Sequence, residues 1–251
     1  TVVTVTDINC PDGAYGLFEA GDDTDLGLER GLLLTSGDVN WAPGPNINGG
    51  GGNPNASNNA PGDPELDSLS IYYGDGDLSN DACVIELDVL AATTELEFEY
   101  VFGSDEYPEF VNDFNDIFAF LISGPGIVGD PVLNGQRNIA VLPDGDNTLV
   151  EINSVNNVLN WEYYRNNQLG QSVEYDGLTS DFLGVKKSLT ARAQVQPCST
   201  YHLKLAIADR GDFVWDSGVF VSEIRGGTPD LSVTFNSGID YLIEDCTNAP
   251  D

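Results

Sequence analysis

The sequence predicts an all-β protein, an antiparallel, jelly-roll-like β-sandwich with long loops and one or two short helices. Three observations carry this expectation: clean two-residue alternation in several runs, breaks rich in Gly, Asn, Asp and Pro, and little helical periodicity. Alternation is clearest over Thr94–Phe102, where Leu96, Phe98, Tyr100 and Phe102 point one way and Glu95, Glu97 and Glu99 the other. Cys83–Leu90 repeats the pattern, with Ile85, Leu87 and Val89 opposite Glu86 and Asp88. One polar and one apolar face is the habit of antiparallel sheets.

Further strands are expected at Leu32–Thr35, Asp116–Ile122, Asn138–Leu142, Ser188–Val195, Tyr201–Ala208 and Gly218–Ile224. Asp63-Pro64-Glu65-Leu66-Asp67 reads as a helix start, with a capping Asp followed by Pro at the first helical position. Thr24–Arg30 is a second helix candidate. Residues 44–62, with four consecutive Gly at 49–52, form a long irregular loop. The pattern changes near Gly227. Two units are therefore expected, a sandwich domain over 1–227 and a strand or linker over 228–251 leading to a following module. The chain starts at Thr1 and contains no Met, as a processed product or an excised piece would.

Charge narrows the function. There are 41 acidic side chains, 27 Asp and 14 Glu, against 9 Lys and Arg, for a net charge of -32. Asp favours loops and turns, where short carboxylates meet hard divalent cations. A salt-adapted surface is the competing explanation. Nucleic acid is excluded as a partner because no basic stripe exists. No apolar run reaches the length of a membrane span. The four cysteines, Cys10, Cys83, Cys198 and Cys246, are too far apart for a compact zinc site. One or two disulfides suit an exported protein, with three connectivities open, and Cys83 and Cys198 also suit buried thiols.

Two acidic clusters stand at strand ends. Residues 105–116 hold seven Asp, Glu and Asn side chains in twelve positions, including Asp105, Glu106, Asn115 and Asp116. Such crowding needs a counter-charge, and calcium accepts about six to eight oxygens in flexible geometry. Phe102, Phe110, Phe114 and Phe118 argue that this loop is packed down. The second cluster contains Asp209, Asp212 and Asp216 around Trp215. If the two strand ends are neighbours, Glu106, Asp116, Asp209 and Asp216 share one site. Arg210 reads as a salt-bridge partner of this rim. A third run, Asp75–Asp81 with Glu86, superficially matches helix-loop-helix calcium spacing but lacks the central Gly and flanking helices. Asp22, Asp23 and Asp25 form a further, unspecific candidate.

Enzymatic chemistry finds little support. His202 is the only His and sits opposite the Tyr201, Leu203, Leu205 face, as a surface strand residue would. No Gly-x-Ser-x-Gly elbow or phosphate-cradling Gly loop is present. Paired carboxylates for glycoside cleavage stay open, because spacing in space is invisible in a sequence.

Several ordered blocks resemble the choice-of-anchor L domain family: Phe102–Val111, Phe114–Phe120, Ser123–Gly126, Gly31–Gly37, Pro61–Asp67, Asn80–Glu86, Ile139–Pro143, Gln196–Asp209 and Asp216–Phe220. The domain is also similar to calcium-dependent peptide-binding domains of bacterial repeats-in-toxin adhesins. These resemblances imply an extracellular module on a bacterial surface protein, with Asp105, Glu106, Asp116, Asp209 and Asp216 as calcium ligands. Asp63 and Asp67 of the Pro61–Asp67 block, and Asp212 between the blocks that end at Asp209 and begin at Asp216, are additional candidates for that set. Tyr107, Asn115 and Trp215, with Trp161 as a further rim aromatic, are the expected ligand contacts. The expected partner is a peptide or protein on a target cell surface, bound by a monomeric, non-enzymatic module of a larger protein. A calcium-dependent carbohydrate-binding module and a calcium-stiffened spacer are the alternatives.

Overall fold

The computed structural model describes residues 1–19, 24, 26–46, 57–180, 188–222 and 224–226. Asp22, Asp23, Asp25, the four Gly at 49–52, Cys246 and the expected second unit over 228–251 lie outside them. Among the described residues thirteen strands follow in chain order. They are β1 (Val2–Asn9), β2 (Tyr15–Glu19), β3 (Arg30–Thr35), β4 (Ser79–Leu90), β5 (Glu95–Ser104), β6 (Ile117–Ser123) and β7 (Arg137–Asn138). Then come β8 (Arg165–Asn166), β9 (Gly177–Leu178), β10 (Leu189–Gln194), β11 (Thr200–Arg210), β12 (Ser217–Val221) and β13 (Arg225–Gly226). They form two antiparallel sheets. One has the order β1-β4-β11-β6-β7; the other runs β2-β3-β12-β5-β9-β8, with β10 and β13 also paired to β5.

The core lies between the sheets and is built by the alternation seen in the sequence. Phe98, Tyr100 and Phe102 of β5 meet Phe118 and Phe120 of β6 in edge and stacked ring contacts with centroids 5.0–5.5 Å apart. Ile85, Leu87 and Val89 of β4 and Tyr201, Leu203, Leu205 and Ile207 of β11 complete it.

Both sheets are also covered on parts of their outer faces. The helix α1 (Pro64–Tyr73) lays Leu66 and Leu69 on Ala119, Leu121, Ala206 and Ala208. On the other sheet, Leu26 and Leu28 pack with Leu33, Val101 and Phe220. A strand buried on both faces reads as an unbroken apolar run, which is why Ile117–Ile122 does not alternate.

Two expectations change and the open cysteine alternatives are decided. Thr24–Arg30 is not helical among its described residues: Gly27 has φ +70° and sets Leu26 and Leu28 into the outer core. The Asn138–Leu142 strand shrinks to β7 plus an isolated Val141–Leu149 bridge. Here the Asn138 side chain accepts from both Phe120 N (3.1 Å) and Ala140 N (3.0 Å), replacing the regular ladder. Cys10 and Cys83 form a disulfide that ties the end of β1 to β4, so Cys83 is no thiol. Cys198 is exposed, in a left-handed turn before β11, which rules out the buried-thiol alternative for it. β1 and β2 add to the strands expected from alternation. In β1 every residue is exposed, so no buried face marks it.

Candidate functional site

Four strand ends meet at one end of the sandwich because the ladders fix their register. β11 pairs with β6, placing Ala208 opposite Ile117, and β12 pairs with β5, placing Ser217 opposite Ser104. Asp116 directly precedes β6, Asp209 lies next to last in β11 after a bulge, Asp105 follows β5 and Asp216 precedes β12. Asp105 N donates to Asp216 O at 3.2 Å. Asp116 joins the two sheets: its Oδ1 accepts from Arg210 N (3.0 Å) and its Oδ2 from Ser217 Oγ (2.7 Å).

The 105–116 loop is compact. Phe110 N donates to Glu106 O and Phe114 N to Phe110 O, each at 3.0 Å, and the Phe110 ring packs on Phe114 and Trp215. Condensed backbone and edge and tilted ring contacts hold the acidic side chains in place without a disulfide.

The site's carboxylates are buried and short of donors. Asp105, Glu106, Asp116, Asp209 and Asp216 are each at most 6 % exposed. Both oxygens of Glu106, both of Asp209, and Oδ1 of Asp105 and of Asp216 have no hydrogen-bond partner among the described residues. The Ser36 hydroxyl is near enough to ease Asp209 without bonding it. A buried carboxylate without donors resists ionisation, and its neighbours add repulsion. Burial, then Asp116, Asp212, Asp209 and Asp105, push Glu106 up to about 11. Burial also raises Asp116 to about 7 against two hydrogen bonds that lower it, with Asp216 and Asp212 adding to the rise. Asp216 is raised to about 7 by burial and by Asp81, Glu174 and Asp38. Asp209 and Asp105 are held well above the usual carboxylate range by burial first and acidic neighbours second, and burial raises Asp212.

Two overlapping groups emerge. One is centred on Glu106 with Asp116, Asp209 and Asp212. The other is centred on Asp105 with Glu174, Asp176 and Asp216. Glu174 and Asp176 are buried and absent from the sequence expectation. Their one available signal is the alternation Val173-Glu174-Tyr175-Asp176, which is faint in a chain so acidic. Asn46 Nδ2 donates to Asp176 Oδ1 (2.7 Å) and to Glu174 O, drawing a second loop onto this group. Carboxylate oxygens far outnumber the donors here, a ligand set that suits a hard divalent cation. Among the described residues, however, no group of three or more His, Cys, Asp or Glu side chains is arranged to hold a metal ion. The carboxylates adjoin without closing a cage.

Other expected site residues have different work. Asp63 caps α1, its Oδ1 accepting from Glu65 N and Leu66 N at 3.1 Å each, and pairs with Lys204. Asp67 accepts from Ser79 N (2.7 Å) and Ser79 Oγ (2.6 Å). Neither is left donor-starved as Glu106 is.

Tyr107 is not a rim aromatic. It is fully buried, packs on Phe102 and Tyr164, and donates its hydroxyl to Val155 O at 2.6 Å. Tyr107→Phe should therefore cost about 1–2 kcal/mol in denaturant unfolding by stranding the Val155 carbonyl, and leave ligand capture unchanged. Asn115 is 3 % exposed and structural, accepting from Asn153 N (2.9 Å) and donating to Asp75 (3.2 Å). Trp215 is half-buried at the rim in a left-handed conformation, with Phe213 exposed beside it. Trp161 is exposed in a short 3-10 turn.

The Asp75–Glu86 run does not form a calcium loop. Asp75 pairs with the fully buried Arg210 (2.9 Å), whose guanidinium also faces Glu151 (3.5 Å) and not the acidic rim expected as its partner, while Glu86 lies mid-β4 beside His202. His202 bridges Glu86 and Asp88 at 3.2 and 3.0 Å on the outer face, as its alternation predicts.

The Choice-of-anchor L domain family matches residues 1–224 of the chain. No curated protein and no solved structure matches it.

Proposed function

Since the chain belongs to the Choice-of-anchor L domain family, a non-enzymatic family of surface-associated bacterial modules, we propose that it is an extracellular calcium-dependent adhesive module that binds a peptide or protein on a target cell. The single observation behind the calcium reading is the donor-starved core of the site. Glu106 and Asp209 are completely buried, and all four of their carboxylate oxygens go without a partner among the described residues. Each such group costs free energy unless a proton or a cation satisfies it.

Glu106, Asp116, Asp209 and Asp212 would hold one calcium ion. Asp105, Asp216, Glu174 and Asp176 would surround it or hold a second. Calcium takes about six to eight oxygens in flexible geometry, so water or a ligand oxygen would have room to share the shell with these side chains. A ligand oxygen entering that shell would meet Trp215 and Phe213 as the neighbouring apolar contacts. A ligand carboxylate or hydroxyl would enter the coordination while its side chain packs on the rim.

The test is capture from an immobilised peptide library and a glycan array, each with calcium and with chelator. Peptide capture abolished by chelator is the expected result. Binding to glycans alone favours the carbohydrate reading, and no binding to either favours the spacer.

A further inference from the structure

We propose that Lys204 and Asp63 condense to an intramolecular amide, with Glu65 as the proton carrier. Lys204 projects from the middle of β11 toward the outer layer covered by α1, where Leu66 and Leu69 pack on Ala206 and Ala208. Its Nζ lies 2.5 Å from Asp63 Oδ2 and 2.6 Å from Glu65 Oε2, with side-chain exposures of 8, 6 and 14 %. The three groups come from positions 139 and 141 residues apart, so the fold alone creates the contact.

The two oxygens of Asp63 have separate roles. Oδ1 accepts from the Glu65 and Leu66 N–H groups at the start of α1, which pull electron density from Cγ as an oxyanion hole does. Oδ2 faces the Lys204 nitrogen. An amide formed at Cγ keeps Oδ1 as its carbonyl oxygen, so the helix cap survives the reaction and only Oδ2 departs. Glu65 is held for its part by Asn134 Nδ2, which donates to Oε1 at 2.6 Å and leaves Oε2 toward Nζ.

The step balances without any other reactant. Burial works against the charge on Lys204, but the two carboxylates outweigh it, so the reactant is the ion pair. Nζ passes a proton to Glu65 and attacks Cγ; the Nζ–Cγ bond forms and the Cγ–Oδ2 bond breaks. Of the three ammonium protons one stays on the amide nitrogen. Two leave with Oδ2 as water, carried by Glu65, which ends as a carboxylate. Nothing is oxidised or reduced. Enforced proximity in a site with little solvent is the condition under which such a condensation competes with the ion pair. The product would tie α1 covalently to the central strand of its sheet, independently of any cation.

Mass spectrometry of the intact, reduced and denatured protein decides the matter. The expected mass is lower than that of the sequence by one water, and proteolysis should yield a branched peptide joining Asp63 to Lys204. Lys204→Arg keeps the charge but lacks the primary amine, and should return the full sequence mass; a dehydrated Asp-Gly step would still show the loss. Glu65→Gln should also return the full mass, and a cross-link that persists in it would remove Glu65 from the reaction. Wild-type protein at its full sequence mass, or a water loss mapped elsewhere, overturns the proposal.

Discussion

Removing divalent cations with a chelator at pH 8 should lower the melting temperature by about 10 °C, the shift expected when a ligand bound only by the native state is withdrawn. The effect should depend on pH in a direction opposite to ordinary acid denaturation. In the cation-free protein, Asp116 and Asp216 hold protons up to about 7 and Glu106 up to about 11, all above their unfolded values. Groups raised in this way contribute stability that is complete below the unfolded pKa, near 4, and is lost as pH rises through the folded one. Each pKa unit is worth about 1.4 kcal/mol, so a carboxyl raised to about 7 changes stability by on the order of 4 kcal/mol. Chelated protein should therefore melt higher at pH 5 than at pH 8. With calcium the order should reverse, because the ligands must be deprotonated to bind. A chelated protein that is most stable near pH 8 would contradict the burial of these carboxylates.

Glu106→Gln should separate folding from binding. In the absence of a cation Glu106 is protonated at neutral pH, so a neutral isostere should leave the melting temperature of chelated protein unchanged or raise it. The same substitution removes a charge from the centre of the site and should weaken calcium binding by about a hundredfold, at least what second-shell losses cost. Asp209→Asn should behave alike, since its oxygens are equally short of donors. Lower stability in chelator with unchanged calcium response would mean that Glu106 serves the core and not an ion.

Much of this arrangement was legible in the sequence. Alternation in Thr94–Phe102 and Cys83–Leu90 marks the inner faces, because each of these strands shows its polar side chains on one face only. The acidic ends at 105–116 and 209–216 were each visible, but that they meet follows from the β11–β6 and β12–β5 ladders, which the sequence left as a condition. Residues whose role depends on packing were not legible. Tyr107 lies in the acidic motif, yet its hydroxyl reaches Val155, 48 positions away, and its ring fills the core. Asp63 shares a motif with the acidic residues but satisfies helix N–H groups and Lys204. Glu174 and Asp176 enter the site through a loop that local sequence cannot place beside Asp105. Cys10 and Cys83 come together through the β1–β4 ladder, which the exposed β1 does not announce by a buried face.

The central claim, that buried and donor-starved carboxylates form a cation site, is tested most directly by titrating calcium into chelator-stripped protein in a calorimeter at pH 7.5. Saturable heat with proton release is the predicted result, strongly weakened in Asp209→Asn, because raised carboxyls must give up protons as the ion enters. Absence of saturable heat, or binding that Asp209→Asn leaves untouched, would contradict it.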